Sequence, residues 1–484
     1  MPLKPELNVS GYRGIWGESL NDEIVSKYTK AFVYFTKEES KKENPTILIG
    51  RDGRESGPKI REIIIRELKN LDINFVDGDI MPTPTVLFSV RKHKYDGAII
   101  ITASHNPIEY NGLKFVNNKA FFTIKEEVEK IKKYAEENAG GNFSNAVLET
   151  LGREGGDEQR KFSAKNFSGD KNSMLKFPPT YVPNFTKEHA DQILANVNVK
   201  AIRARKFKIA VDMINASACV MDPYLFKKLG VELIPLNNIP NGKFRHRPEP
   251  LKENLSDIEN LVKESKADLG FVHDPDADRL VIVNENGEII SEEYSVVFGV
   301  ENILSKNHGK PIVINLSTSQ MSADIAKKYG SECFRSKIGE GYVVEKIISR
   351  NAIIGGEGNG GVIYPTINTV RDSFTGLSLI LELLAERKQT VNECIATLPK
   401  YFIKKDKWPI IGKDLNDIYK KLKTHFNNAK IDEQDGLRLD LANNSWLHLR
   451  PSNTEPIIRL FGEAKDKDTI EALFNEAKLT LNDK

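Results

Sequence analysis

Asp274, Asp276 and Asp278 alternate with Pro275 and Ala277 in one short run that ends at Arg279. Carboxylates at i, i+2 and i+4 of a tight loop converge on a single cation. An all-oxygen set suits Mg²⁺, which commonly shares its shell with phosphate or water. A cation with an open position is a Lewis acid toward a phosphoryl oxygen, and Arg279 adds a guanidinium of the shape that pairs a phosphate. The same spacing also serves a plain acidic turn. A calcium EF-hand does not fit, because Arg279 stands where that loop needs its sixth-position glycine. A second candidate is Thr102-Ala103-Ser104-His105-Asn106-Pro107, directly after the apolar run Gly97-Ala98-Ile99-Ile100-Ile101. Such a run reads as a buried strand, so Ser104 falls just past a strand's carboxyl end, where open α/β sheets bind ligands. A hydroxyl beside an imidazole and an amide suits group transfer; a Ser/Asn/Pro turn closing the strand is the plainer alternative.

Two further stretches carry polar chemistry. Gly355-Gly356-Glu357-Gly358-Asn359-Gly360-Gly361 lets backbone approach a ligand closely, and Glu357 with Asn359 offers an acceptor and an amide for sugar hydroxyls. No Lys-Ser or Lys-Thr follows, so it is not a P-loop. Arg450-Pro451-Ser452-Asn453-Thr454-Glu455-Pro456 puts a guanidinium, two hydroxyls and an amide on one turn, which makes either an anion nest or an Asx/Ser turn. Arg13, in Gly11-Tyr12-Arg13-Gly14, and Lys114, ten residues past Ser104, are single cations with the reach to join a phosphate site. Arg51, Asp52 and Arg54 read as a structural ion pair and His246 as a structural loop histidine.

The elements that must position these groups alternate. Ile24, Tyr28, Phe32 and Phe35 line one helix face; Ile47–Ile49 is a short strand; Pro58 opens a helix carrying Ile60, Ile63, Ile64 and Leu68. Strand signals recur at 73–76, 207–211, 268–272, 280–283, 312–314 and 353–354, with helices near 187–197, 294–304 and 374–384. Strand–helix alternation predicts layered α/β units. After about residue 403 the period changes: Leu437, Leu439 and Leu441 alternate with polar residues, Asn443-Asn444 makes a turn, and Ile470, Leu473, Phe474 and Ala477 mark a last helix. That pattern predicts a half-buried antiparallel sheet with helices. Residues 138–179 break the periodicity and read as a polar, partly mobile surface insertion.

At 484 residues the chain is long enough for three or four domains. Its 70 basic and 68 acidic side chains leave +2, which gives no reason to invoke nucleic acid or a membrane surface. Cys219, Cys333 and Cys394 are far apart and lack metal-ligand spacing, so a reducing, cytoplasmic setting is expected. No apolar leader core or membrane span is read.

Taken together and in this order, T-A-S-H-N-P, D-P-D-A-D-R, G-E-G-N-G-G and R-P-S-N-T-E-P resemble the α-D-phosphohexomutase family over essentially the whole chain outside 138–179. The resemblance implies an α/β fold: three similar mixed α/β domains plus a C-terminal α+β domain around a central cleft. The expected boundaries are 1–185 (phosphoserine), 186–293 (metal), 294–402 (sugar) and 403–484 (phosphate). It implies that Ser104 carries a phosphoryl group and joins Asp274, Asp276 and Asp278 around Mg²⁺. Arg13, His105, Lys114, Arg279 and Lys337 would line the reacting end, with Lys114 moving protons. Glu357 and Asn359 would read the sugar, and Arg450, Ser452, Asn453, Thr454 and Arg459 would clamp the other phosphate. The implied reaction interconverts hexose 6- and 1-phosphates through a bisphosphate, with hexose 1,6-bisphosphate as activator. The G-E-G-N-G-G form favours glucosamine phosphate, with mannose or glucose phosphate as alternatives. A phosphosugar is the expected partner, and a monomer or homodimer the expected state. A sugar-phosphate phosphatase and a non-catalytic sensor are the rival functions. Several relatives carry Ser and then His in the sugar loop where this chain has Asn359 and Gly361. A hinge is expected within residues 402–409.

Overall fold

In a computed structural model of the chain, residues 6–137, 184–409, 414–451 and 457–482 are described. The expected insertion at 138–179 lies outside them, as do Ser452, Asn453 and Thr454.

The first sheet runs β1-β5-β4-β2-β3, from β1 (Tyr12–Ile15), β2 (Thr46–Arg51), β3 (Asn74–Ile80), β4 (Gly97–Ile101) and β5 (Tyr110–Val116). Both faces of its centre are covered. Ile47, Ile49, Ile99 and Ile101 enter one apolar cluster, while Leu48, Ala98 and Ile100 enter another on the opposite face. Double coverage is why the central strands read as unbroken apolar runs.

The second sheet runs β7-β6-β8-β9, from β6 (Lys208–Asp212), β7 (Glu232–Leu236), β8 (Leu269–His273) and β9 (Leu280–Val283). The third runs β11-β10-β12-β13, from β10 (Ile312–Asn315), β11 (Cys333–Ser336), β12 (Ile354–Glu357) and β13 (Gly361–Ile363). With β1 set aside, all three sheets follow one plan. Three parallel strands stand in the order second, first, third, and an antiparallel fourth strand pairs with the third. The three similar α/β units expected from the pattern are therefore present, and the likeness lies in topology. One apolar cluster runs through the second and third units, including the helix Ser373–Arg387, whose residues 373–385 are all buried.

The C-terminal sheet is wholly antiparallel, in the order β14-β18-β17-β16-β15, from β14 (Phe402–Pro409), β15 (Lys430–Asp432), β16 (Leu437–Asp440), β17 (Trp446–Pro451) and β18 (Ile457–Ala464). Leu437, Leu439, Leu447, Leu449, Ile458 and Leu460 share its own core with the helices Leu415–His425 and Lys467–Asn482. The expected α+β unit is thus confirmed. Phe402–Pro409 differs from its expectation as a hinge: all eight residues are in register with β18, so ladder hydrogen bonds hold it inside the sheet. Among the described residues no helix is long and apolar enough to cross a membrane.

Candidate active site

Each α/β unit contributes one loop, and each loop leaves the same place, between the third parallel strand and the antiparallel fourth. Ser104 lies between β4 and β5, Asp274 to Asp278 between β8 and β9, and Gly358 to Gly360 between β12 and β13. The structure brings the first two together. Ser104 Oγ donates to Asp274 Oδ2 at 3.1 Å, across 170 residues of sequence.

Ser104 is 1% exposed and has φ +50°, a left-handed conformation that costs a non-glycine residue about 1–2 kcal/mol. A closed network holds it there. Its N–H donates to Thr102 Oγ1 (2.8 Å), whose hydroxyl donates to Asp52 Oδ2 (2.7 Å). Arg54, fully buried, pairs with Asp52 and donates to the carbonyls of Ser104, Asn106, Pro107 and Tyr110 at 2.6–2.8 Å. The expected ion pair is therefore Asp52–Arg54, and it frames the serine loop. Arg51 pairs instead with Asp79 (2.6 Å). His105 Nδ1 lies 3.3 Å from Ser104 Oγ. Burial, with the guanidiniums of Arg279 and Arg13, holds this imidazole neutral, far below its usual range.

The three aspartates are fully buried, and one oxygen from each lies within 4.8 Å of the others. Each carboxylate has one oxygen secured by the protein. Asp274 Oδ1 accepts from the N–H groups of Asp278 and Arg279, both at 3.0 Å. Asp276 Oδ2 accepts from Lys114 Nζ (2.7 Å) and Thr83 Oγ1 (2.9 Å). Asp278 Oδ2 accepts from Arg371 Nη2 (2.5 Å). Among the described residues Asp276 Oδ1 and Asp278 Oδ1 are buried with no hydrogen-bond partner, and Asp274 Oδ2 accepts from the Ser104 hydroxyl. Unpaired buried carboxylate oxygens are costly, so this set of three hard donors fits a small divalent cation. The crowding is electrostatic. Burial, then Asp278 and Asp276, push the Asp274 carboxyl well above the usual carboxylate range. Burial works the same way on Asp276, but Lys114, together with hydrogen bonds from Asp274 and Thr83, outweighs it and holds that carboxyl below its usual range.

Arg13 lies opposite Gly112 in the β1–β5 register, so Arg13 and Lys114, two residues further along β5, share one face of the sheet. Arg13 Nη1 also donates to Asn106 Oδ1 (2.8 Å). Arg279 Nε lies 3.9 Å from Asp278 Oδ1. Lys337 is exposed, with its ammonium 5.6 Å from the Tyr342 ring centre. Glu357 is buried: its Oε1 accepts from Asn315 Nδ2 (2.9 Å) and Gly339 N (3.0 Å), and its Oε2 from Arg371 Nη1 (3.0 Å).

In the C-terminal unit Arg450 and Arg459 are direct cross-strand partners, and Lys407 faces Arg459 from the other side. Three cations therefore share one face of three adjacent strands. Like charges so placed repel, which favours an anion between them. Asp435 Oδ1 lies 3.7 Å from Arg450 Nη2, and its Oδ2 accepts from the N–H of Ile338 in the third unit (2.9 Å).

Sequence reasoning missed Thr83, Arg371, Lys407 and Asp435. Each is defined by partners far along the chain, and none stands in a recognisable local pattern. The one available signal was indirect: Lys407 belongs to a strand of alternating lysines, Lys405-Asp406-Lys407.

Four family models match successive stretches of the chain, each described as a domain of phosphoglucomutase/phosphomannomutase. They are α/β/α domain I (residues 4–141), α/β/α domain II (187–287), α/β/α domain III (293–402) and the C-terminal domain (404–479). A phosphoglucomutase/phosphomannomutase of Thermococcus kodakarensis is 33% identical over 95% of this chain and 94% of its own. A phosphoglucosamine/phosphogalactosamine mutase of Sulfurisphaera tokodaii is 30% identical over 98% of each. Among solved structures, a phosphoglucomutase/phosphomannomutase family protein of Burkholderia thailandensis has the same fold, with TM-score 0.78 at 23% identity over 99% of this chain and 98% of that one. Four matched domains in sequence order, and relatives aligned end to end, identify this chain as a member of the phosphoglucomutase/phosphomannomutase family of phosphohexomutases.

Proposed function

We propose that this phosphohexomutase interconverts a hexose 6-phosphate and its 1-phosphate, with Ser104 as the phosphoryl carrier. The observation that supports this most is the Ser104 Oγ to Asp274 contact: a strained, buried hydroxyl aimed from one unit into the carboxylate cluster of another. Asp274, Asp276 and Asp278 would hold Mg²⁺ through their unsecured oxygens. When bound, that ion neutralises charge on the transferring group, a main source of rate in phosphoryl transfer.

The chain's own residues supply the rest. Arg13, Lys114 and Arg279 surround the phosphoryl position with positive charge. The phosphoryl leaves Ser104 Oγ for a hydroxyl oxygen of the bound sugar phosphate. The Oγ–P bond breaks, a sugar O–P bond forms, the hydroxyl gives up its proton, and Ser104 Oγ takes one up. His105, held neutral, accepts hydrogen bonds there, and Lys114 Nζ is the group through which the proton passes. The bisphosphate then turns so that its other phosphoryl returns to Ser104 Oγ, and hexose 1,6-bisphosphate reloads any serine left bare. Arg450 and Arg459, with Ser452, Asn453 and Thr454, hold whichever phosphate is not reacting, while Glu357, Asn359 and Lys337 orient the sugar.

Glucosamine phosphate is the preferred substrate in this reading. It draws on the Gly358-Asn359-Gly360-Gly361 loop and on relatives named as phosphoglucosamine mutases in Sulfurisphaera tokodaii and Methanococcus vannielii. The Thermococcus relative's name favours glucose or mannose phosphate as the second reading. A coupled assay on the three 1-phosphates, each primed with its own bisphosphate, separates them: glucosamine gives the highest kcat/KM, and a higher value for either other sugar overturns the preference. Ser104→Ala abolishes turnover while leaving sugar-phosphate binding within about threefold, since the lost step is chemical. Retained turnover removes Ser104 from the reaction, and steady release of free phosphate by the wild type marks a phosphatase instead.

A further inference from the structure

Arg371 was not among the residues marked by any motif, yet three carboxylates lie within ion-pair distance of its guanidinium. It is buried immediately before the helix Ser373–Arg387, and each guanidinium nitrogen faces a different carboxylate. Nη2 donates to Asp278 of the aspartate loop (2.5 Å) and Nη1 to Glu357 of the glycine loop (3.0 Å), while Nε lies 3.3 Å from Glu340, at the start of the helix Glu340–Arg350, as an ion pair without a hydrogen bond. Glu340 also accepts the backbone N–H of Arg371 itself (2.5 Å), so both ends of the residue are fixed. With its amide oriented to satisfy its neighbours, Asn359 Oδ1 accepts from Nη1 at 2.9 Å.

The path of the side chain explains a glycine. A Cβ at Gly361 would fall 2.2 Å from Arg371 Cδ, so the arginine crosses the space a side chain at 361 would take. Only a planar fork serves three carboxylates in three directions; a lysine ammonium is a single point of charge.

We propose that Arg371 is a positioning residue that sets the aspartate loop and the sugar loop as one unit, and that Gly361 exists to let it through. By pairing with Asp278 Oδ2 it competes with the cation for that carboxylate, while Oδ1 accepts no hydrogen bond among the described residues. By holding Glu357 Oε2 it fixes the carboxylate that meets the sugar. It is also a standing counter-charge to the aspartates. The assignment rests on the mutase reading above.

A cycle of Arg371→Gln, Gly361→Ala and the double variant tests it, with wild type assayed alongside on the 1-phosphate it turns over fastest. Arg371→Gln removes the counter-charge and the fork together. Mn²⁺ titrated into the sugar-free protein then binds at least about threefold tighter, because Asp278 has lost a competing cation. KM for the sugar phosphate rises at least about tenfold, because Glu357 has lost its orientation. A lesion that merely loosens the fold weakens both. Gly361→Ala keeps every polar group and still raises KM, by pushing Arg371 off its partners. In the Arg371→Gln background it adds less than about twofold, the non-additivity expected of two residues sharing one space. An unchanged KM or weaker Mn²⁺ binding in Arg371→Gln, or a fully additive penalty in the double variant, overturns the assignment. If the wild type itself fails to interconvert the phosphates, the mutase reading falls instead, and the Mn²⁺ arm still decides whether Arg371 governs Asp278.

Discussion

The serine loop and the aspartate loop leave the same point of the same sheet plan and are held in different ways. The serine loop is held from within. Asp52, Arg54 and Thr102, which fix its backbone, all belong to the first unit. The aspartate loop is held from both sides: Ser217 of its own unit donates to the Pro275 carbonyl (2.7 Å), and its carboxylates lean on the neighbouring units. Thr83 of the first unit donates to both the carbonyl and the carboxylate of Asp276, and Lys114 of the first unit pairs with the same carboxylate. Ser373 of the third unit donates to the Ala277 carbonyl (2.6 Å), and Arg371 takes Asp278. A loop that must present one strained hydroxyl is shaped by its own unit. A loop that must gather three like charges takes its shape from cations and donors on both sides. The lesson is that the strained serine is set by its own unit, whereas the charged cluster is completed by its neighbours.

The largest effect that would sharpen this contrast comes from Asp276→Asn. It removes the charge that Lys114 balances and one free oxygen of the cluster. Turnover falls about a thousandfold, equivalent to about 4 kcal/mol, and Mn²⁺ affinity of the sugar-free protein falls with it; steady-state rates and a metal titration check both. Unchanged activity in chelator would remove the ion from the account. Next comes Arg54→Lys. Four loop carbonyls lose a buried guanidinium that an ammonium's three donors cannot replace, so urea unfolding loses about 3 kcal/mol. Mn²⁺ affinity stays near wild type, because the aspartate loop does not lean on Arg54. A parallel loss of metal binding would break the contrast. Smallest is Ser373→Ala. The Ala277 carbonyl keeps the Ser373 N–H at 3.3 Å, so stability falls by only about 1 kcal/mol. Mn²⁺ binding weakens measurably even so, which is what support from a neighbouring unit requires.

Much of the site was legible because its chemistry is local in sequence. Asp274, Asp276 and Asp278 sit within five residues, and Ser104 follows a strand buried on both faces, which leaves an unmistakable apolar run. The alternation of Leu437, Leu439 and Leu441 exposed the change to a one-sided sheet for the same reason. What escaped was set by tertiary contact. Arg371 looks like any residue before a helix until Asp278, 93 residues away, and Glu357 close around it. Residues 402–409 read as a hinge because they lead into the last unit, which would have to open for the intermediate to turn over. An edge strand leads in from the same place, and only the register with β18 tells the two apart. Lys407 was overlooked with it, although it completes the row of cations beside Arg459 and Arg450.

The central claim is that Ser104 carries the phosphoryl group between substrate molecules. The most direct measurement is peptide mass spectrometry of the protein after incubation with hexose 1,6-bisphosphate, and again after a chase with unphosphorylated-site acceptor, the matching hexose 6-phosphate. The account predicts one phosphoryl group on Ser104 that disappears in the chase as bisphosphate is formed. Interconversion of the two sugar phosphates with no phosphoryl on Ser104 at any time would contradict it.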